Sequence, residues 1–224
     1  MRTTLTLLAA AALAAPAAAA AQTVTEPSSR VAFPVSLTGA DGSRQVLTGT
    51  GLRTRTVLKV KVYAFGLYVD EAQARTALAS YAGQTPEQLA GATAFYDALL
   101  RMSFPMTMQL VMTRNVTGEQ MSEAFDGALR PRVVAAAGRG MPGGEAALDQ
   151  FRGYFSVERL TEGTELVFTC AGGSLHSTVA GDPKAAIQSP ALCWALFDVY
   201  LGAQPISPRG KRTVVSRFPA VLRP

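Results

Sequence analysis

Histidine is almost missing from this chain: His176 is the only one in 224 residues, and cysteine occurs just twice, at Cys170 and Cys193. His176 therefore has no His or Cys at metal-ligand spacing and no acidic cluster around it. His176 itself follows Gly173 in an expected hairpin, without acidic neighbours, and reads as a surface residue. The sequence also lacks a Cys-x-x-Cys pair, a Gly-x-Ser-x-Gly elbow and a phosphate-binding glycine loop, so redox, hydrolase and nucleotide chemistry lose their usual carriers. No metal or cofactor is implied. Charged residues make up only 17% of the chain, and the lysines and arginines behind its net charge of +5 are scattered rather than blocked. That pattern argues against a nucleic-acid partner.

What is present at the start is a leader. MRTTLTLLAAAALAAPAAAAAQ holds one early positive charge, an apolar run and small residues at an Ala-x-Ala site, the composition of a secretory signal peptide over residues 1–21. Its apolar core is too short and Ala-rich for an anchor, so no stable membrane insertion is expected. Residues 22–224 suit one exported domain with a sizeable core, periplasmic or secreted. Such a compartment permits a Cys170–Cys193 bridge. Two buried thiols packing as small hydrophobes are at least as compatible, because Cys193 lies on an apolar helix beside Trp194.

Periodicity places strands first and helices afterwards. Val31–Leu37 and Gln45–Thr50 read as strands around an Ala40-Asp41-Gly42 turn. Helical patterns follow over Glu71–Tyr81 and Pro86–Leu100, the latter capped by Thr85. A strand over 101–113 carries Met102, Met106, Met108 and Met112 on one buried face. Thr117-Gly118-Glu119-Gln120 is a capping box opening a helix towards Ala136, and Glu145–Leu160 reads as a second amphipathic helix. Glu165–Thr169 and Ser174–Ala180 form a hairpin, and Ser189-Pro190 starts a last long helix ending near Gly202. Without regular strand-helix alternation, the pattern is α+β rather than doubly wound.

The most informative stretch is GTGLRTRTVLKVKVYAFGLYVD, residues 49–70. Gly49 and Gly51 suit a bulge or the close approach of another backbone, and a turn near Arg55-Thr56 would set Arg53 opposite Tyr63. Rough alternation puts Lys59, Lys61, Tyr63 and Phe65 on one face and Leu58, Val60, Val62 and Ala64 on the other. Arg53 offers a permanent charge and a fork of donors matched to a carboxylate. An internal acid that consumes this charge is the competing reading. The basic residues Arg209, Lys211, Arg212 and Arg217 read as a solvated helix face.

Three motifs in order carry a resemblance. They are Gly51-Leu52-Arg53 with Lys61-Val62-Tyr63 and Gly66-Leu67-Tyr68; then RNVTGEQMSEAF from Arg114; then Leu201-Gly202 followed by Ser207-Pro208. Together they resemble the chalcone isomerase-like family. The resemblance implies a large antiparallel β-sheet with a layer of α-helices on one face and a ligand cleft between them. Members that cyclise chalcones carry Thr where this chain has Tyr63, and Tyr where it has Met121, a pocket-lining position. A thioether cannot donate a hydrogen bond to developing negative charge. Members that bind fatty acids carry the Arg and Tyr found here at Arg53 and Tyr63. The resemblance thus implies a non-catalytic, fatty-acid-binding protein whose head-group residues are Arg53 and Tyr63. The alternatives are an isomerase or intramolecular lyase, and an envelope interaction module with no ligand.

Overall fold

The computed structural model describes residues 22–55 and 58–223, so the leader read over residues 1–21 lies outside the described residues. Three short strands, β1 (Thr23–Thr25), β2 (Ala32–Pro34) and β3 (Ser36–Thr38), precede a long hairpin of β4 (Arg44–Arg55) and β5 (Val60–Asp70). Next come helices α1 (Glu71–Ala77), α2 (Pro86–Gly91) and α3 (Thr93–Leu99), then β6 (Met106–Met112), β7 (Val116–Thr117), α4 (Gly118–Ala137) and α5 (Glu145–Gly153). Strands β8 (Arg159–Leu160), β9 (Glu165–Ala171), β10 (Ser174–Val179), β11 (Asp182–Pro183) and β12 (Ile187–Gln188) lead into α6 (Pro190–Leu201), α7 (Pro208–Thr213) and α8 (Phe218–Val221). The main sheet is antiparallel in the order β11-β10-β9-β6-β5-β4-β3, with β12 pairing beside β10.

Its two faces differ in chemistry. One face presents Phe65, Leu67, Met106, Met108, Leu110, Met112, Leu166 and Phe168 to the helices, in a single core with Phe125, Leu129, Leu192, Leu196 and Phe197. The other carries a small cluster of Phe33, Leu47, Ala64, Tyr68 and Val111, and beside it a polar ladder. In that ladder Tyr68 donates to Gln109, Gln109 donates to Glu165, and Thr107 pairs with Thr169. The fold is the expected α+β open-faced sandwich. Helix α6 explains why the layer is held: apart from Pro190 and Asp198 every one of its residues is buried, and Asp198 is satisfied at 2.8 Å by Arg132 of α4.

Two bulges decide which side chains meet. Thr48 is the extra residue on β4, between the Leu47–Tyr68 and Gly49–Leu67 pairs. Its hydroxyl donates to Val214 O at 2.8 Å, which docks the chain after α7 onto the sheet. Gly49 lies under that segment and Gly51 under Gly210 of α7, and a Cβ on Gly49 would run into the Thr213 carbonyl oxygen. Gly49→Ala is therefore expected to destabilise towards the upper end of the about 1–3 kcal/mol typical of overpacking, read as a lower urea midpoint at unchanged m-value. An unmoved midpoint would refute the tight docking.

The second bulge corrects the alternation read from sequence. Arg53 pairs with Tyr63 but Thr54 pairs with Lys61, so Val62 is extra on β5. A bulge puts two neighbouring residues on one side. Val62 and Tyr63 both join the helix-side core, whereas Lys61 is exposed and donates to Ser28 O. Lys61 and Tyr63 thus do not share a face.

Other boundaries move for local reasons. The expected helix over 86–100 breaks at Ala92 after Gly91, a poor helix former. Met102 leaves the methionine strand, because its left-handed backbone (φ 53°) closes the end of α3 and β6 starts only after Pro105. Helix α5 stops at Gly153 rather than 160, since the following chain passes tightly against Gly118 and pairs as β8 with β7. His176 is half-buried on β10 rather than at the surface. Lys211 is not on a solvated face: its ammonium donates to Gly202 O and sits 4.1 Å from the Tyr96 ring centroid. Finally, Cys170 and Cys193 form a disulfide that ties β9 to α6, not a pair of free thiols.

Candidate functional site

At the hairpin end of the sheet, between β4–β5 and the start of α4, lies a cleft of about 480 Å³. Its size falls within the roughly 300–1,000 Å³ common for small-molecule sites. Strand β4 contributes Arg53 and Arg55, and β5 contributes Val60 and Val62. Arg114 and Val116 come from the chain leaving β6, while α4 supplies Gln120, Met121, Glu123 and Ala124. The capping box sets the α4 side: Gln120 N donates to Thr117 Oγ1 and Gln120 Oε1 accepts from Thr117 N, both at 3.1 Å. The helix therefore starts at one defined residue, and Met121 heads a buried stripe continued by Phe125, Leu129, Val133 and Ala136.

Arg53 is the polar centre. Its Nη1 donates to the Tyr63 hydroxyl at 3.2 Å, and that hydroxyl pairs with the Tyr200 hydroxyl at 2.9 Å. Tyr63 is wholly buried and Tyr200 is 1% exposed, whereas Arg53 is half-buried and reaches the cleft wall. The structure brings Arg53 and Tyr63 together as their pairing allows. It places the phenol behind the guanidinium rather than on the wall. Two phenols hold two protons, of which their mutual bond uses one, so the second remains for another acceptor.

Among the described residues no carboxylate forms an ion pair with Arg53. The reading in which an internal acid consumes its charge does not hold. Burial lowers the Arg53 pKa, but contact with the Tyr63 phenol and the proximity of Tyr200 outweigh it, and the net direction is upward. Tyr200 is pushed well above the ordinary phenol range, chiefly by burial and then by Tyr63. The site is thus a fixed cation backed by the Tyr63 and Tyr200 hydroxyls. Its Coulombic attraction is strengthened because part of it is out of water.

Sequence reasoning missed Tyr200, Arg55 and Arg114. A signal for Tyr200 was available: a tyrosine tip on an otherwise apolar helix needs a buried partner. Arg114 opens the second motif, but its convergence with Arg53 depends on chain paths that no local pattern encodes.

The phenols also set an alkaline limit. Tyr200 keeps its proton in the folded chain beyond the pH, about 10, at which an unfolded tyrosine releases it. Tyr96 behaves likewise, its pKa raised to about 12 by burial. A raised folded-state pKa means stability that is full below about pH 10 and falls as pH rises above it. Thermal midpoints should drop between pH 9.5 and 11.5, less steeply in Tyr200→Phe. Parallel curves for the two proteins would contradict this.

Fold and site together define a class: an open-faced sandwich with a cationic, apolar-walled cleft at one end of its sheet. Residues 43–215 match the family described as "Chalcone isomerase like", and the chain belongs to that family. It is 30% identical over 85% of its length to a chalcone–flavanone isomerase of Oryza sativa, covering 86% of that protein. It is 28% identical over 88% of its length to fatty-acid-binding protein 2 of Arabidopsis thaliana, of which it spans 51%. In fold it superposes on the crystal structure of an Arabidopsis thaliana fatty-acid binding protein with a TM-score of 0.75, covering 90% of this chain and 99% of that one at 22% identity.

Proposed function

We propose that this chain is a non-catalytic, exported carrier of a fatty acid or similar apolar carboxylate. The head group binds Arg53, which Tyr63 and Tyr200 hold in place, and the tail lies along Val60, Val62, Val116 and Met121. The observation that carries this reading is a guanidinium that has no acidic partner among the described residues and stands on the wall of a cleft lined in part by Val60, Val62, Val116 and Met121. The fatty-acid-binding relatives lend support. Each buried methylene yields about 0.8 kcal/mol, so the tail supplies affinity and Arg53 orientation. Export is supported by the disulfide, since such bonds persist in oxidising compartments.

Mass spectrometry of lipid extracted from the purified protein is the direct test. A stoichiometric fatty acid is expected. The isomerase reading draws on the similar isomerases, and Met121, with no proton to donate, weighs against it. Chalcone consumption above the spontaneous rate, lost in Tyr63→Phe, would replace the carrier reading with an enzyme.

A further inference from the structure

The cleft holds more positive charge than a monocarboxylate can neutralise. Arg53, Arg55 and Arg114 all line it, against one acid, Glu123. Among the described residues none of the three arginines is ion-paired, whereas Arg44, Arg75, Arg130, Arg132 and Arg152 all are. Apart from the bond from Arg53 to Tyr63, no side-chain hydrogen bond engages them in the described structure. Three forks with donors still to spend therefore face one volume, with a net charge of +2 from three guanidiniums and one carboxylate. Like charges gathered in a partly desolvated space repel unless an anion offsets them.

We propose that the cleft selects an apolar chain ending in a dianionic head, a phosphate monoester being the best match, over the same chain ending in a single carboxylate. The proposal rests on the reading of the cleft as a carrier of acidic, apolar-tailed ligands and goes beyond it in the head group, a phosphate in place of a carboxylate. A phosphate monoester presents three acceptor oxygens and about two charges above pH 6, and arginine forks bind such oxygens in pairs. One fork can come from Arg53 at the inner wall and the others from Arg55 and Arg114, both exposed at the rim. The apolar wall of Val60, Val62, Val116 and Met121 still requires a chain, so inorganic phosphate alone should bind weakly. Glu123 opposes the dianion, and removing its charge should widen the preference.

Delipidated protein is titrated calorimetrically with decyl phosphate, decanoate and inorganic phosphate, each below its aggregation concentration, at pH 5.5 and 8. At pH 8, decyl phosphate should bind about tenfold tighter than decanoate. That ratio should shrink at pH 5.5, where the phosphate keeps one charge while the guanidiniums in the cleft, Arg53, Arg55 and Arg114, stay protonated. Decanoate at the same two pH values controls for Glu123 and for the phenols behind Arg53. In Arg55→Ala/Arg114→Ala decyl phosphate affinity should fall further than decanoate affinity, so that the preference vanishes, and in Glu123→Gln it should grow. Decanoate binding as tightly as decyl phosphate, or a preference that survives the double substitution, overturns the dianion assignment and leaves the carrier reading standing. Tight inorganic phosphate alone would mark a free-anion site instead. Binding of neither alkyl ligand removes both readings.

Discussion

Arg53→Ala protein should leave purification nearly free of bound fatty acid, with a dissociation constant raised about 10- to 150-fold in titrations of the delipidated chain. Charge-assisted hydrogen bonds contribute about 1.5–3 kcal/mol, and each 1.4 kcal/mol is a factor of ten. The upper half of that range is favoured because Arg53 is half-buried and, among the described residues, has no acid competing for it. Tyr63→Phe should weaken binding less, since it removes an acceptor that steadies the guanidinium and leaves the charge in place. The fold should survive Arg53→Ala, for no ion pair is broken. Unchanged lipid content with an unchanged dissociation constant would take Arg53 out of the site. A collapsed far-ultraviolet spectrum would show that its role is structural.

The second large effect concerns the Cys170–Cys193 bridge. It closes a separation of 23 residues with the Cα atoms 5.8 Å apart, and a loop of that size constrains the unfolded chain by about 3 kcal/mol in the chain-entropy account. At about 2–4 °C per kcal/mol for a chain of this length, Cys170→Ser/Cys193→Ser should melt about 6–12 °C lower than the parent. The bridge staples the end of β9 to α6, the helix whose last turns carry Tyr200. Removing it should therefore weaken lipid binding as well as stability. Thiol titration of the unfolded chain under non-reducing conditions tests the compartment at the same time, since both cysteines are buried in the fold: protein exported from the cell should show no thiol, and chain retained in the cytosol should show two. Two free thiols in exported protein would sink both the bridge and the support it lends to export.

The helix starts were legible because a start is a local event. Thr117 with Gln120 closes reciprocal bonds within three residues, and that box forms where the sequence places it; Thr85 caps α2 as read, and its partner Gln88 completes a second box there. The two-layer arrangement was legible for a related reason. A strand such as β6 buries Met106, Met108 and Met112 on alternate positions, and an apolar helix such as α6 has to be covered. Helix ends were harder. Helix α5 stops at Gly153 because the next segment finds a strand partner in β7, and no cap at Gly153 announces it.

By itself the sequence determined the α+β class, the pairing of Arg53 with Tyr63 and the capped entry of α4, because each follows from periodicity or from contacts a few residues apart. Only the tertiary structure decided that Val62 bulges and turns Lys61 away, that Tyr200 completes the buried phenol pair, and that Arg55 and Arg114 share one cleft with Arg53. These relations join segments up to 137 residues apart. They arise from how strands register and how helices settle on the sheet, a balance of burial over the whole core that no short stretch of chain contains.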